Sequence, residues 1–144
     1  MQIKTLYTLH GLLQASAFLL LFPIGILIAL SKAYIGNRWF ILHIIFQTLG
    51  ICCVFTAIAL MAYAQYLKTK APNAKPAETK KPLPTHVIVG IIIVILIILQ
   101  VIWAVFLRHT INREIWVNIH ILLAILILTL GWTNLYLGYT LYNT

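Results

Sequence analysis

Four histidines are placed to do chemistry in this chain: His10, His43, His86 and His120. Each falls near the start of a long apolar run. An ionisable side chain inside a membrane span is costly and marks a functional site by default. Imidazole is a standard ligand for iron, and the facing helices of a bundle are a recurrent place to build a metal or cofactor site. Which imidazoles can meet depends on how the runs are threaded.

The runs are about 7–31, 39–66, 85–107 and 115–142. At about 1.5 Å per residue, each can cross a hydrocarbon core of roughly 30 Å. The third contains IIIVILII. Such a stretch favours a strand in water, but its length and a lipid setting make it a helix. Pro23 lies inside the first run, where it removes a backbone hydrogen bond and kinks the helix. Two short polar turns, 32–38 and 108–114, join the runs in pairs. A Lys-, Pro- and Ala-rich stretch at 67–84 lies between the pairs and reads as a solvated linker. The expected fold is all-α: one integral membrane four-helix bundle over 1–144, threaded up-down-up-down.

That threading sets the pairing. His10 and His86 start parallel helices and share one membrane face, while His43 and His120 share the other. In a four-helix ring the first and third helices lie diagonally, as do the second and fourth. Each diagonal pair can therefore bring two imidazoles to one haem iron. The helical stripes agree with this, at about 100° per residue. His43, Gln47, Gly50 and Ala57 align on the second helix, and His120, Ile127, Gly131, Asn134 and Gly138 on the fourth. His86 lies one turn from Gly90, and His10 aligns with Ala17. Small residues give a flat macrocycle room, with Ile127 the bulky exception packing at its edge. Zinc fits less well, because each pair supplies two ligands and a structural site wants four. His109, beside Arg108 in a turn, reads as a solvated loop residue.

Composition agrees with a multi-pass membrane protein. The 144 residues are 62% hydrophobic and 8% charged, with a mean hydropathy of +1.01. A soluble domain is nearer 45–50% apolar and about 25% charged. The net charge of +8 sits in the gaps between runs, so it reads as membrane anchoring and not as a nucleic-acid-binding face. Cys52 and Cys53 are adjacent within an apolar run and read as two small apolar residues in a helix. There is no CxxCH haem-attachment motif and no C-x-x-C zinc pattern. The first run is too long for a secretory signal and is expected to be retained. No lipidation motif is present at either end.

The chain resembles the haem-binding transmembrane core of the cytochrome b561 family, in particular the type found beside DOMON domains and in ferric-reductase-like relatives. The residues that carry the resemblance are His10-Gly11 with Phe22-Pro23-Ile24-Gly25, and Trp39-x-x-x-His43-x-x-x-Gln47. They continue with His86-x-x-x-Gly90, Gln100 and Arg108, then Trp116-x-x-x-His120 with Gly131, Asn134 and Gly138. They cover all four helices. The resemblance implies two non-covalent haem b groups, held by His10 with His86 and by His43 with His120. The cofactor contacts it favours are Gly50, Gly90, Gly131 and Asn134. Two positions depart from the family pattern: Gln14, where methionine is common, and Ala124, where glycine is common. The larger residue at 124 crowds the site of His43 and His120.

Bis-histidine ligation leaves no open iron position and suits electron transfer. The resemblance implies transmembrane electron transfer, with ascorbate as donor and monodehydroascorbate or ferric chelates as acceptors. Lys32, Arg38, Arg108 and Arg113 lie on the His43/His120 side, and Lys68, Lys70, Lys75, Lys80 and Lys81 on the other; either group could attract an anionic substrate. Two other functions fit the same sequence: a structural or interaction protein on the same scaffold, and a membrane-anchor cytochrome subunit serving a redox partner protein. The bilayer is the expected surrounding, and a homodimer is compatible with it. Orientation is weakly coded. Lys4, Lys68, Lys70, Lys75, Lys80 and Lys81 on one side against four cations on the other put the termini in the cytoplasm by the positive-inside rule. The family layout, to which we give more weight, puts them outside.

Overall fold

The computed structural model describes residues 3–70 and 82–143. Every regular element among them is helical. Four helices are long and apolar enough to span a membrane: α1 over Ile3–Leu30, α2 over Trp39–Lys70, α3 over Thr85–Phe106 and α4 over Arg113–Asn143. The protein is all-α, integral to the membrane and multi-pass. The helices form two compact units, within Met1–Pro82 and Leu83–Thr144, each a hairpin.

In the first hairpin, α1 and α2 are antiparallel. His10, early in α1, meets the Ala57 carbonyl late in α2, and His43, early in α2, meets the Gly25 carbonyl late in α1. The α2 face turned inward runs His43, Gln47, Gly50, Val54, Ala57 and Ala64, at spacings of three, four and seven. This is the seam pattern that lets two helices approach closely through small residues. From α1, Leu6, Ala17, Phe18, Phe22 and Gly25 are buried against it. Phe18 and Phe22 pack edge to face with centroids 5.2 Å apart.

The expected kink at Pro23 takes a specific form. Ser16–Leu21 is π-helical, and the Phe22 amide donates to Ala17, five residues back. Proline has no N–H for the carbonyl four residues before it, and its ring crowds that carbonyl. A wider turn just ahead of Pro23 gives the backbone room while keeping neighbouring amides bonded, which lipid requires. The link from α1 to α2 contains a helical turn at Lys32–Ile35 and a 3-10 turn at Gly36–Arg38. Gly36, which opens the second turn, has φ +69°, a conformation that side-chain-bearing residues rarely adopt.

In the second hairpin, His86, Gly90, Ile93, Ile97 and Gln100 on α3 face Trp116, His120, Ile127, Gly131, Asn134 and Gly138 on α4. Pro84 precedes α3, and its carbonyl accepts the Val87 and Ile88 amides. Asn112 caps α4, its Oδ1 accepting the Glu114 amide at 2.8 Å. Glu114 adds a negative charge to the same first turn, where the helix dipole favours it.

Three helices extend past the apolar runs. α1 starts at Ile3, α2 continues to Lys70, and α4 covers Arg113–Asn143. Hydropathy marks only the lipid-facing part of a helix, and no proline occurs between Trp39 and Lys70 to stop α2. The protruding turns gain contacts of their own. Lys68 Nζ lies 5.0 Å from the Tyr7 ring centroid, and Lys70 Nζ lies 5.9 Å from that of Tyr66. The expected linker at 67–84 thus begins as helix, and its residues 71–81 lie outside the described residues.

The first hairpin has a close approach at Gly50, where an added Cβ would collide with the Phe22 ring. Gly50→Val should cost about 1–3 kcal/mol, as overpacking does. Thermal unfolding in detergent should register the loss, and adding Phe22→Leu to the same chain should recover part of it.

Candidate functional site

The four histidines are half-buried, and each is set on the seam between the two helices of its own hairpin. Three share one device. His10 Nδ1 donates to the Ala57 carbonyl at 3.0 Å, His43 Nδ1 to Gly25 at 2.8 Å, and His86 Nδ1 to Asn134 at 3.0 Å. Each carbonyl belongs to the opposite helix of the hairpin. A carbonyl can only accept, so these Nδ1 atoms carry the proton and the lone pair is at Nε2. A neutral imidazole of that tautomer, oriented through its other nitrogen, is what a metal ligand requires.

His120 is held through its ring face and its backbone. Its ring stacks on Trp116, one turn earlier, with centroids 5.3 Å apart and planes 11° from parallel. Gln100 Nε2 donates to the His120 carbonyl at 3.0 Å. Trp103 and Trp116 are cross-bonded, each indole N–H donating to the other residue's carbonyl, at 3.0 and 2.9 Å.

Each hairpin therefore carries one histidine near each of its ends. In the first, His43 and the Ala57 level that receives His10 are fourteen positions apart on α2, about 21 Å along the axis. In the second, His86 and the Gln100 level that meets His120 are fourteen positions apart on α3, about 21 Å. The two spacings agree.

The small residues serve the seams. The expectation that Gly50 leaves space for a flat ring meets a place already taken by Phe22. Gly138 makes room for the His86 imidazole: a Cβ there would sit 2.8 Å from Cε1 and 3.1 Å from Nδ1. Gly25 plays the same part for Gln47, which donates to the Phe22 carbonyl. Gly90 lies beside Asn134, with 3.4 Å between its would-be Cβ and Nδ2. Gly131 and Ile127 are buried in α4, and Gly11 has open space around it. Two buried amide oxygens, Gln100 Oε1 and Asn134 Oδ1, have no hydrogen-bond partner among the described residues. Each lies at the level of a histidine, so each can accept from a polar group brought in beside that ring.

The cationic candidates are at the turns. Lys32 and Arg38 are exposed in the first link, and Arg108 and Arg113 in the second, where His109 is exposed too. Arg113 shares a shallow open recess with Asn112, Glu114, Val117 and Asn118. A second recess reaches His86 between Pro84, Thr85, Leu137, Thr140 and Leu141. Among the described residues, no three His, Cys, Asp or Glu side chains cluster to hold a bare metal ion. Histidines that offer one Nε2 each instead suit a group that brings its own equatorial ligands, and haem is such a group.

Sequence alone does not give the carbonyl partners of the imidazoles, because a main-chain oxygen has no residue-type signature. Trp103 also escapes notice, although it and Trp116 flank one turn at matching distances.

No curated protein and no solved structure matches the chain. Residues 9–144 match the family model described as eukaryotic cytochrome b561, a family of haem-containing transmembrane electron-transfer proteins, and the chain belongs to it.

Proposed function

We propose that the chain carries two haem b groups, each held by two imidazoles, and passes single electrons between the two faces of the membrane. The chain order implies His10 with His86 for one group and His43 with His120 for the other. The observation that carries this is the shared tautomer: His10, His43 and His86 each give Nδ1–H to a carbonyl and so present Nε2 as the ligand atom. The equal spacing of the histidine levels in the two hairpins is compatible with one group at each height. Haem b, when bound, supplies a one-electron ferric/ferrous couple, and two imidazole ligands leave its iron closed to oxygen.

The chain's own residues do the rest. The carbonyls of Ala57, Gly25 and Asn134 fix ring orientation and raise the basicity of the ligand nitrogen. Apolar side chains exclude water from between the two levels. The exposed cations Lys32, Arg38, Arg108 and Arg113 raise the local concentration of an anionic donor or acceptor. Ascorbate suits them as a donor, with monodehydroascorbate or a ferric chelate as acceptor, which would make the protein a transmembrane oxidoreductase. A membrane-anchor subunit serving a protein partner would use the same sites without a small substrate.

A reduced-minus-oxidised spectrum with a haem count decides the stoichiometry. Two haems per chain are expected, falling to one in His43→Ala and one in His86→Ala. A bound haem count of zero in the unaltered protein overturns the proposal. Rapid reduction by ascorbate in vesicles, slowed at least several-fold in a variant lacking Arg108 and Arg113, would identify the donor face.

Gly138 gives a finer test. Gly138→Ala places a methyl against the His86 ring and should displace it from the Asn134 carbonyl, so haem retention should fall towards one per chain. Gly11→Ala, with nothing within 4 Å, should retain both.

A further inference from the structure

We propose that Trp116, clamped by Trp103, is the positioning residue of His120 and fixes the direction of that imidazole plane. This rests on the bis-histidine reading above. An imidazole bound to iron through Nε2 keeps one soft coordinate, rotation about the iron–nitrogen bond. For His10, His43 and His86 a hydrogen bond to a carbonyl restrains it. The His120 plane lies against an indole face 11° from parallel.

That face is itself immobilised. Rotating the Trp116 side chain breaks its bond to the Trp103 carbonyl, and moving Trp103 breaks the reverse bond to Trp116. The clamp bridges α3 and α4 at the last turn of one and the first turn of the other. Gln100 anchors the same stretch of α4 through the His120 carbonyl. Three side chains thus hold His120: Trp116 at its ring face, Trp103 through Trp116, and Gln100 at its backbone carbonyl. A seat for packing alone would need neither the reciprocal indole bonds nor a near-parallel stack.

The angle between two axial imidazole planes sets the orbital splitting of a low-spin ferric haem, and electron paramagnetic resonance reads it as the position of the lowest-field signal. The holoprotein should give two such signals, one of which His43→Ala abolishes. Trp116→Leu should shift that signal and leave the other in place. Trp116→Phe, which retains an aromatic face, should return it close to its original position. Trp103→Phe keeps the stack but drops half of the clamp, and should broaden the same signal even if Trp116→Leu does not accumulate. Two haems with an unmoved, unbroadened signal in these variants overturn the inference while leaving the two-haem reading intact. An unaltered protein without haem overturns both.

Discussion

The structure depends on imidazole N–H groups bonded to main-chain carbonyls across a helix seam. Inside a bilayer an imidazole has few places to put its proton, and an unmet polar group costs several kcal/mol. Ala57, Gly25 and Asn134 each supply a carbonyl already engaged in its own helix and still able to accept a second bond. One bond thereby settles three matters. It satisfies the ring, selects the tautomer and ties two helices together at a fixed height. A side-chain acceptor could meet the first need but would bring another polar group into lipid.

Close helix approach is the condition for those bonds, and it explains where the small residues go. Phe22 over Gly50, Gln47 over Gly25 and His86 over Gly138 are three instances of a large side chain filling the hole left by a missing one. Three of the four histidine levels carry a half-buried amide, Gln47 near His43, Gln100 near His120 and Asn134 near His86. The large side chains on the outside, such as Leu27, Leu30, Ile41 and Leu122, are exposed to the surrounding lipid.

Much of this could be read from the residues, for definite reasons. The four spans follow from run length, and the stripes of His43, Gln47, Gly50 and Ala57 or of His120, Ile127, Gly131 and Asn134 follow from helical periodicity. Periodicity says which residues share a face but not what the face meets. The stripes suggested clearance for a flat ring, whereas Gly50 and Gly138 accommodate side chains of the facing helix. Helix ends at Ile3 and Lys70 were hidden because hydropathy reports the lipid and not the hydrogen bonding. The reciprocal tryptophans were hidden because each bonds to a backbone oxygen. Pro23 announced a disturbance without saying whether the chain would bend or widen.

The widening has a consequence for chain length. A π turn holds more residues than the α turn it replaces, so the two halves of α1 are out of phase with a continuous helix. His10 lies before Ser16–Leu21, and Gly25, whose carbonyl receives His43, lies after it. The bulge absorbs one residue, so His10 and Gly25 both turn to the seam although they are fifteen positions apart on α1, where their partners His43 and Ala57 are fourteen apart on α2. Without the wider turn, the same number of residues would swing one half of α1 about 100° off the seam.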